Sequence, residues 1–432
     1  MHIIHVTAGA GSIYCGACTH DHLLAQGLAK LGCDVDFVPL YTRPKVDAPL
    51  TDAPTCACSG TFFCGVNVYL EQHIPFFRRP HRLLDRITAS DTLLRLAGRL
   101  AARTDPAQLG AMTVSMLRGH DGFQRREFAR LLAFLEAPPR TDVILLTNSL
   151  LSAIAPAVKA AGTVPVVCEL QGEDGFVEAM PDPHRTQARE LMQRNARAID
   201  LFLAPSERHA AKMIDFLAAP SGRFRVVRPG IDTARYALAP ARPRSPFTIG
   251  CLSRIAPEKG LDLLVEASQI LICEQGRDVR IRAAGRVTDR RFWADLKQSV
   301  RRGGLASRFV YEGELDFADK VRFLHGCSAF CVPSRFPEIR GTAAMEAMAV
   351  GLPVVAARAG IFDELAERAG GVLLATSENP RSLAAALSEL MDDPDRADAL
   401  GRAAREGVQT HHDAARTARE TLQLCTQLVR VQ

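Results

Sequence analysis

The stretch Val332-Pro-Ser-Arg-Phe-Pro-Glu338-Ile-Arg-Gly341-Thr-Ala-Ala-Met-Glu346-Ala-Met-Ala-Val-Gly351-Leu-Pro353-Val-Val carries a strand end, a polar loop and a helix start in immediate succession. The strand ends at Ser334, and the short loop holds Glu338 and Gly341. The helix starts near Thr342, and Gly351-Leu-Pro353 stops it. A helix N-terminus has unpaired N–H groups and a positive dipole end, which suits a diphosphate. Gly341 removes the side chain that would hold a phosphate away. Glu346, one turn inside, is placed to accept hydrogen bonds from ribose hydroxyls, and Glu338 to face the sugar side of the diphosphate.

Upstream, Leu252-Ser253-Arg254-Ile-Ala-Pro-Glu-Lys259-Gly260 reads as another strand-to-helix junction. Open α/β sheets bind ligands at the carboxyl ends of their strands. Arg254 and Lys259 supply two positive charges there, which phosphoryl oxygens need, most of all on a departing nucleoside diphosphate.

Around these junctions, apolar strand runs alternate with helical patterns, the signature of parallel sheets with crossover helices. The first half carries strands over 2–7, 35–40, 143–147, 164–170, 201–204 and 224–228, with Gly32 closing the first helix. The second carries strands over 247–252, 279–284, 308–311, 329–333 and 354–356, followed by helices to the end. Residues 44–125 interrupt the first half as a helical insertion. Arg78, Arg79, Arg82, Arg86, Arg95, Arg99 and Arg103 fall there among apolar positions, as a solvated face or as a basic surface for an anionic acceptor or peripheral membrane contact over 78–103. Prolines crowd 236–246, which reads as a linker. The expected division is 1–238, 246–410, and a terminal helix over 411–432 that packs back on the first domain.

Composition agrees with a folded α/β chain: 47% of the 432 residues are hydrophobic and 23% charged, which excludes a disordered chain. The net charge of +5 suits an anionic small molecule and is too small to imply nucleic acid. Charges interrupt every apolar run, and the N-terminus reads as a strand and not as a signal peptide, so a cytoplasmic location is expected. Among the twelve Cys, Cys168, Cys251 and Cys331 sit in apolar strands as small buried hydrophobes. Cys15, Cys18, Cys56, Cys58 and Cys64 leave three readings open: a zinc site, a redox pair, or packing around a turn.

Taken together, the two junctions resemble glycosyltransferase family 4 of the GT-B fold. That family's donor-site pattern is Glu-x7-Glu before an Ala-rich helix and Gly-x-Pro, with an Arg and a Lys after the first strand of the second domain. Glu338 and Glu346 match the glutamates, Arg254 and Lys259 the basic pair, and Gly341 the phosphate-loop glycine. The likeness continues through Ala204-Pro-Ser206, Val227-Arg-Pro-Gly230-Ile-Asp232 and Tyr311-Glu-Gly313-Glu-Leu315.

The resemblance implies an α/β protein of two Rossmann-like domains facing each other across a cleft. It implies retaining transfer from a nucleotide-diphosphate sugar, with UDP favoured, to a glycan, lipid or small-molecule acceptor. No metal and no cofactor are expected. It places Glu338, Arg254, Lys259 and Gln171 in catalysis, and Gly16, Arg254, Lys259, Glu314, Leu315, Glu338, Gly341, Thr342, Ala343 and Glu346 at the donor. Relatives often carry a His after the strand ending at Leu170, where this chain has Gln171, which hydrogen-bonds but does not exchange protons near neutral pH. Glu173 and Asp174, just beyond, read equally as caps of the next helix. An epimerase of the same fold, a phosphorylase, and an inactive sugar-nucleotide-binding protein stay open as alternatives, although no residue marks the pyridoxal-phosphate lysine of a phosphorylase.

Overall fold

The computed structural model describes residues 1–9, 16–41, 63, 72, 106–239 and 242–431. The arginine-rich segment 78–103, the inner part of the proline-rich linker, and Cys15, Cys56, Cys58 and Cys64 lie outside the described residues. The chain divides into two compact units, Met1–Val227 with Thr417–Gln432, and Arg228–Arg416.

In the first unit, β1 (His2–Thr7), β2 (Asp34–Pro39), β3 (Val143–Leu146), β4 (Val166–Glu169), β5 (Leu201–Ala204) and β6 (Phe224–Val226) form a sheet in the order β2-β1-β3-β4-β5-β6. Every pairing in it is parallel. Successive residues of a strand face opposite sides, so an all-buried strand needs apolar residues throughout. Ile4 and Val6 join one core with Ile144, Cys168 and Phe202. Ile3 joins the other, with Val143, Val167 and Leu203. Helix α1 (Gly16–Lys30) covers the second face through Leu24 and Leu28, and Gly32 ends it at φ +85°. Helices α2 (Pro106–Leu117) and α3 (Arg125–Leu135) give Val114, Leu117, Leu131 and Leu135 to the first. From the far end of the chain, Ala418 and Cys425 complete the second core.

The second unit's sheet runs β12-β11-β10-β7-β8-β9, also parallel, through β7 (Phe247–Leu252), β8 (Val279–Ala284), β9 (Phe309–Tyr311), β10 (Ala329–Val332), β11 (Val354–Ala357) and β12 (Val372–Ala375). Strand β12 corrects the expectation of helices alone after 356. Val372-Leu-Leu-Ala is a four-residue edge strand after Gly370-Gly371, too short to register against the flanking helical pattern. These are two Rossmann-like sheets of the GT-B fold class. In each, the strand order reverses beside the first strand: between β1 and β3, and between β7 and β10. Those reversals open a crevice at the carboxyl ends of the strands. No described helix is long and apolar enough to cross a membrane.

Candidate functional site

At the second unit's reversal, β7 runs into a single 3₁₀ turn, Pro257–Lys259, and then α4 (Leu261–Gln269). Gly260 joins them at φ +68°, and a Cβ there would lie 2.0 Å from the Pro333 carbonyl oxygen at the end of β10. Only glycine combines this backbone conformation with that approach. The two junctions singled out in the sequence are therefore in contact. The Arg335 N–H donates to the Glu258 carbonyl at 2.9 Å, and Ser334 Oγ donates to it at 3.2 Å.

That contact brings Lys259 Nζ to 2.6 Å from Glu338 Oε1, with both side chains largely buried. The loop bearing Glu338 is also held from its other side. The Ile361 N–H donates to the Glu338 carbonyl at 2.8 Å, and a Cβ on Gly360 (φ +73°) would lie 2.1 Å from that same oxygen. Arg254, the other cation, is half exposed and lies 3.2 Å from Glu258 Oε1.

Gly341, at φ +63°, is the N-cap of α5 (Thr342–Ala349), and no side chain caps that helix. Thr342 and Ala343 form its first turn. Elsewhere in the chain Asp289, Asp316 and Asn379 do cap their helices. An uncapped helix N-terminus leaves backbone N–H groups unpaired, the kind of end that suits an anion.

Glu346 is 7% exposed, and its Oε1 accepts from Lys320 Nζ at 2.6 Å and Tyr236 Oη at 2.9 Å. Neither partner was anticipated. Lys320 lies on the helix Phe317–His325 in a charged run that reads as surface, and Tyr236 sits more than a hundred positions from Glu346. Glu314 is exposed, 3.8 Å from Arg286 Nε, and Leu315 packs against the core beneath α5. The strand ends beneath them are locked: the Gly285 N–H donates to the Gly313 carbonyl at 2.7 Å, and Tyr311 Oη donates to the Gly285 carbonyl at 2.7 Å.

The first unit's reversal is polar and buried. Asp21 of α1 accepts Thr7 Oγ1 at 2.5 Å and Thr147 Oγ1 at 2.6 Å on Oδ2, and Gln171 Nε2 at 3.0 Å on Oδ1. Gln171 Nε2 also donates to Thr147 Oγ1 at 2.8 Å. Gly16 opens α1 and is exposed. Glu173 and Asp174 do not cap the helix they begin, since Gly172 holds that place at φ +90°. Glu173 instead accepts from the Ser149 N–H at 2.8 Å, Ser149 Oγ at 2.5 Å and the Gln171 N–H at 2.7 Å. Asp174, itself buried, pairs with Lys212 at 2.6 Å.

His5, Asp21 and Glu169 form the one group among the described residues whose side-chain atoms have metal-ligand spacing, all within 4.8 Å of one another. Burial lowers the His5 pKa, while Asp21 already carries three donors and Glu169 accepts His20 Nε2 at 2.9 Å. Cys18 is buried and so lacks the exposure of a reactive thiol, and burial pushes the Cys251 thiol up to about 12.

Comparison with known proteins follows this division of the chain. The family model "Glycosyltransferase Family 4" matches residues 111–235, and "Glycosyl transferases group 1" matches 238–407. D-inositol 3-phosphate glycosyltransferase of Kineococcus radiotolerans is 33% identical over 239 residues, covering 49% of this chain and 54% of that protein. The lipopolysaccharide core biosynthesis mannosyltransferase LpsB of Rhizobium meliloti is 33% identical over 241 residues, 51% of this chain and 62% of its own length. The match thus spans little more than half the length of these curated relatives. Among solved structures, Anabaena HepE in complex with UDP superposes with a TM-score of 0.63 at 18% identity, covering 99% of this chain and 100% of HepE. Sucrose-phosphate synthase from Thermosynechococcus elongatus superposes at 0.70 and 18%, with all of both chains covered.

Proposed function

Because the chain belongs to glycosyltransferase family 4, we propose that it transfers a hexosyl group from a nucleoside-diphosphate sugar to an acceptor hydroxyl, with retention of anomeric configuration. The observation that carries this reading is the Lys259–Glu338 pair, 2.6 Å apart where β7 and β10 diverge, beside the uncapped N-terminus of α5. Lys259, Arg254 and the N–H groups of Thr342 and Ala343 hold the diphosphate. Gly341 turns the loop into α5 at φ +63°, and a Cβ there would press on Ile361 and Phe362 and not on the phosphate, so its part is the turn and not the clearance expected from the sequence. Glu346 takes the ribose, and Glu338 and Gln171 meet the sugar. Glu314, Leu315 and Gly16 line the remainder of the donor's path.

In this mechanism the acceptor oxygen bonds to the anomeric carbon on the face from which the diphosphate leaves. The bond between that carbon and the phosphate oxygen breaks, and the departing oxygen takes the acceptor's proton. Negative charge grows on the leaving group, where Lys259 and the α5 dipole stabilise it most in the transition state. A fixed ammonium and a helix terminus supply this without a divalent ion.

A UDP-sugar is the donor we favour, since HepE has been solved with UDP and with UDP-glucose. Relatives named as GDP-mannose-dependent mannosyltransferases make GDP-mannose the comparison to run. The test is a panel of UDP-, GDP-, ADP- and dTDP-sugars scored first by thermal stabilisation, which mass action requires of any specific ligand, and then by release of nucleoside diphosphate. One donor should raise the melting temperature and turn over. If none does either, the reading fails.

A further inference from the structure

Gln171 donates both its amide hydrogens inward, to Asp21 Oδ1 at 3.0 Å and Thr147 Oγ1 at 2.8 Å. The direction of that amide is decided by its neighbours. The Thr147 hydroxyl spends its only proton on Asp21 Oδ2, and Thr7 spends its own on the same oxygen. Thr147 Oγ1 is therefore left to accept, and an ionised Asp21 can only accept. Turned the other way, the amide oxygen would face a carboxylate and a hydroxyl with no proton to give. The backbone N–H of Gln171 is fixed as well, by Glu173 Oε2 at 2.7 Å. Gln171 Oε1 accepts no hydrogen bond from a described residue, and the side chain is only partly buried.

We propose that Asp21 is a positioning residue that turns the Gln171 amide so that only its carbonyl meets the substrate, selecting a ligand with a hydroxyl donor at that point. The proposal rests on the reading that Gln171 meets the sugar. Asp21 does this through two threonines from different strands: Thr7 ends β1 and Thr147 follows β3, the pair whose divergence makes the crevice. The result is an acceptor of fixed direction that keeps its character at every physiological pH, since an amide does not titrate. An unsupported glutamine rotates, and so accepts from or donates to a substrate hydroxyl indifferently.

The test is a reciprocal exchange in the full chain, with UDP-glucose or GDP-mannose as the probe, whichever the wild type turns over. Gln171→Glu places a second carboxylate about 3 Å from Asp21, and like charges that close share one proton. The groups facing this pair are Glu173 at the start of the helix beyond β4, Glu169 at the end of β4, His20 of α1 and His5 of β1. The protonated form restores the wild-type direction, so Gln171→Glu should lose activity as pH rises, with a new limb absent from the wild type. Asp21→Asn presents an NH₂ group to Gln171, turns its carbonyl inward, and should cut kcat/KM tenfold or more. In the double variant the Asn NH₂ donates to the Glu carboxylate. It should recover most of the Gln171→Glu loss at pH 7.5 and abolish the limb. A double variant no better than the worse single, in proteins of equal melting temperature, overturns the orientation. Should Asp21→Asn fold poorly, the pH limb of Gln171→Glu decides alone, and a flat profile overturns the proposal. Gln171→Ala separates the underlying reading: wild-type kcat/KM there removes the sugar contact itself and this proposal with it.

Discussion

Lys259 Nζ lies 2.6 Å from Glu338 Oε1 across the contact between two loops that are 79 positions apart in sequence. The cation assigned to the diphosphate and the carboxylate assigned to the sugar therefore set each other's position. Lys259→Ala should lower kcat/KM by some tens to hundreds-fold, about 2–4 kcal/mol of transition-state stabilisation. Glu338→Gln should act chiefly on kcat. Residues in contact do not combine additively, so the double variant should lose less than the product of the singles. Lys259→Arg should rescue only in part, because a planar guanidinium does not fit a site built for an ammonium. Steady-state kinetics on the four variants checks this, and wild-type turnover in all of them refutes the assignment.

Glu346, proposed to take the ribose, is also held as a structural residue. Its pairing with Lys320 is largely buried, and removing one member of such a pair costs about 3–5 kcal/mol. Glu346→Ala should therefore lower the melting temperature as well as donor affinity. Tyr236→Phe removes one hydrogen bond, about 1 kcal/mol, and should raise the donor KM through a less constrained carboxylate. A thermal melt beside each KM separates the two effects. An unchanged melt in Glu346→Ala would show the ion pair to be idle.

Gly260→Ala should be among the most damaging single-methyl additions. It combines φ +68° with a backbone oxygen 2.0 Å from the new carbon, and should cost upwards of about 2 kcal/mol. Gly276→Ala is the control: φ is +65° but no atom lies within 4 Å, so about 1 kcal/mol is expected. Denaturant melts of the two should differ clearly, and equal midpoints would remove the close approach as the reason for glycine at 260.

His412 should give the fold an acid-sensitive step. Its ring is buried, Nδ1 lies 3.0 Å from the Pro229 carbonyl, and burial lowers its pKa from 6.5 to about 4. Between those values the unfolded chain binds a proton that the folded chain refuses. Stability is therefore full above pH 6.5 and falls as pH drops toward 4, at up to about 1.4 kcal/mol per unit. His412→Gln should flatten that part of the profile. Urea melts at pH 7 and pH 5 would show it, and parallel losses in both proteins would clear His412 of the role.

Transfer should persist in EDTA, since Lys259 and the α5 terminus already oppose the leaving group's charge. Complete loss restored by added Mg²⁺ or Mn²⁺ would overturn the proposed mechanism and direct attention to His5, Asp21 and Glu169.

The segments 252–260 and 332–355 were legible because their residue types are constrained by backbone as well as chemistry. Gly260 and Gly341 need positive φ, and Gly351 and Pro353 end a helix. The partners of those residues were not legible. Lys320 looks like any charged residue on a helix, and what makes it a partner of Glu346 is the shared core that holds Phe323 and Leu324 with Met345 and Met348. Asp21 and Gln171 meet across 150 positions, as His20 and Glu169 do across 149, and no local pattern records a contact of that range. Strand β12 escaped for a different reason, since four apolar residues at a sheet edge carry too few alternations to outweigh helices on both sides.

The first unit's second core closes with Ala418 and Cys425, residues translated after the whole second unit, although its strands begin at His2. A ribosome adding about 5–20 residues per second needs roughly 10–40 s to pass from Val227 to Cys425. Throughout that interval Ile3, Leu24, Val143 and Leu203 lack part of their cover. The nascent first unit therefore stays partly wet on one side while the second unit is made. The core begun first is thus the one that receives its last residues latest, and a premature stop just after Arg416 would leave it without Ala418 and Cys425.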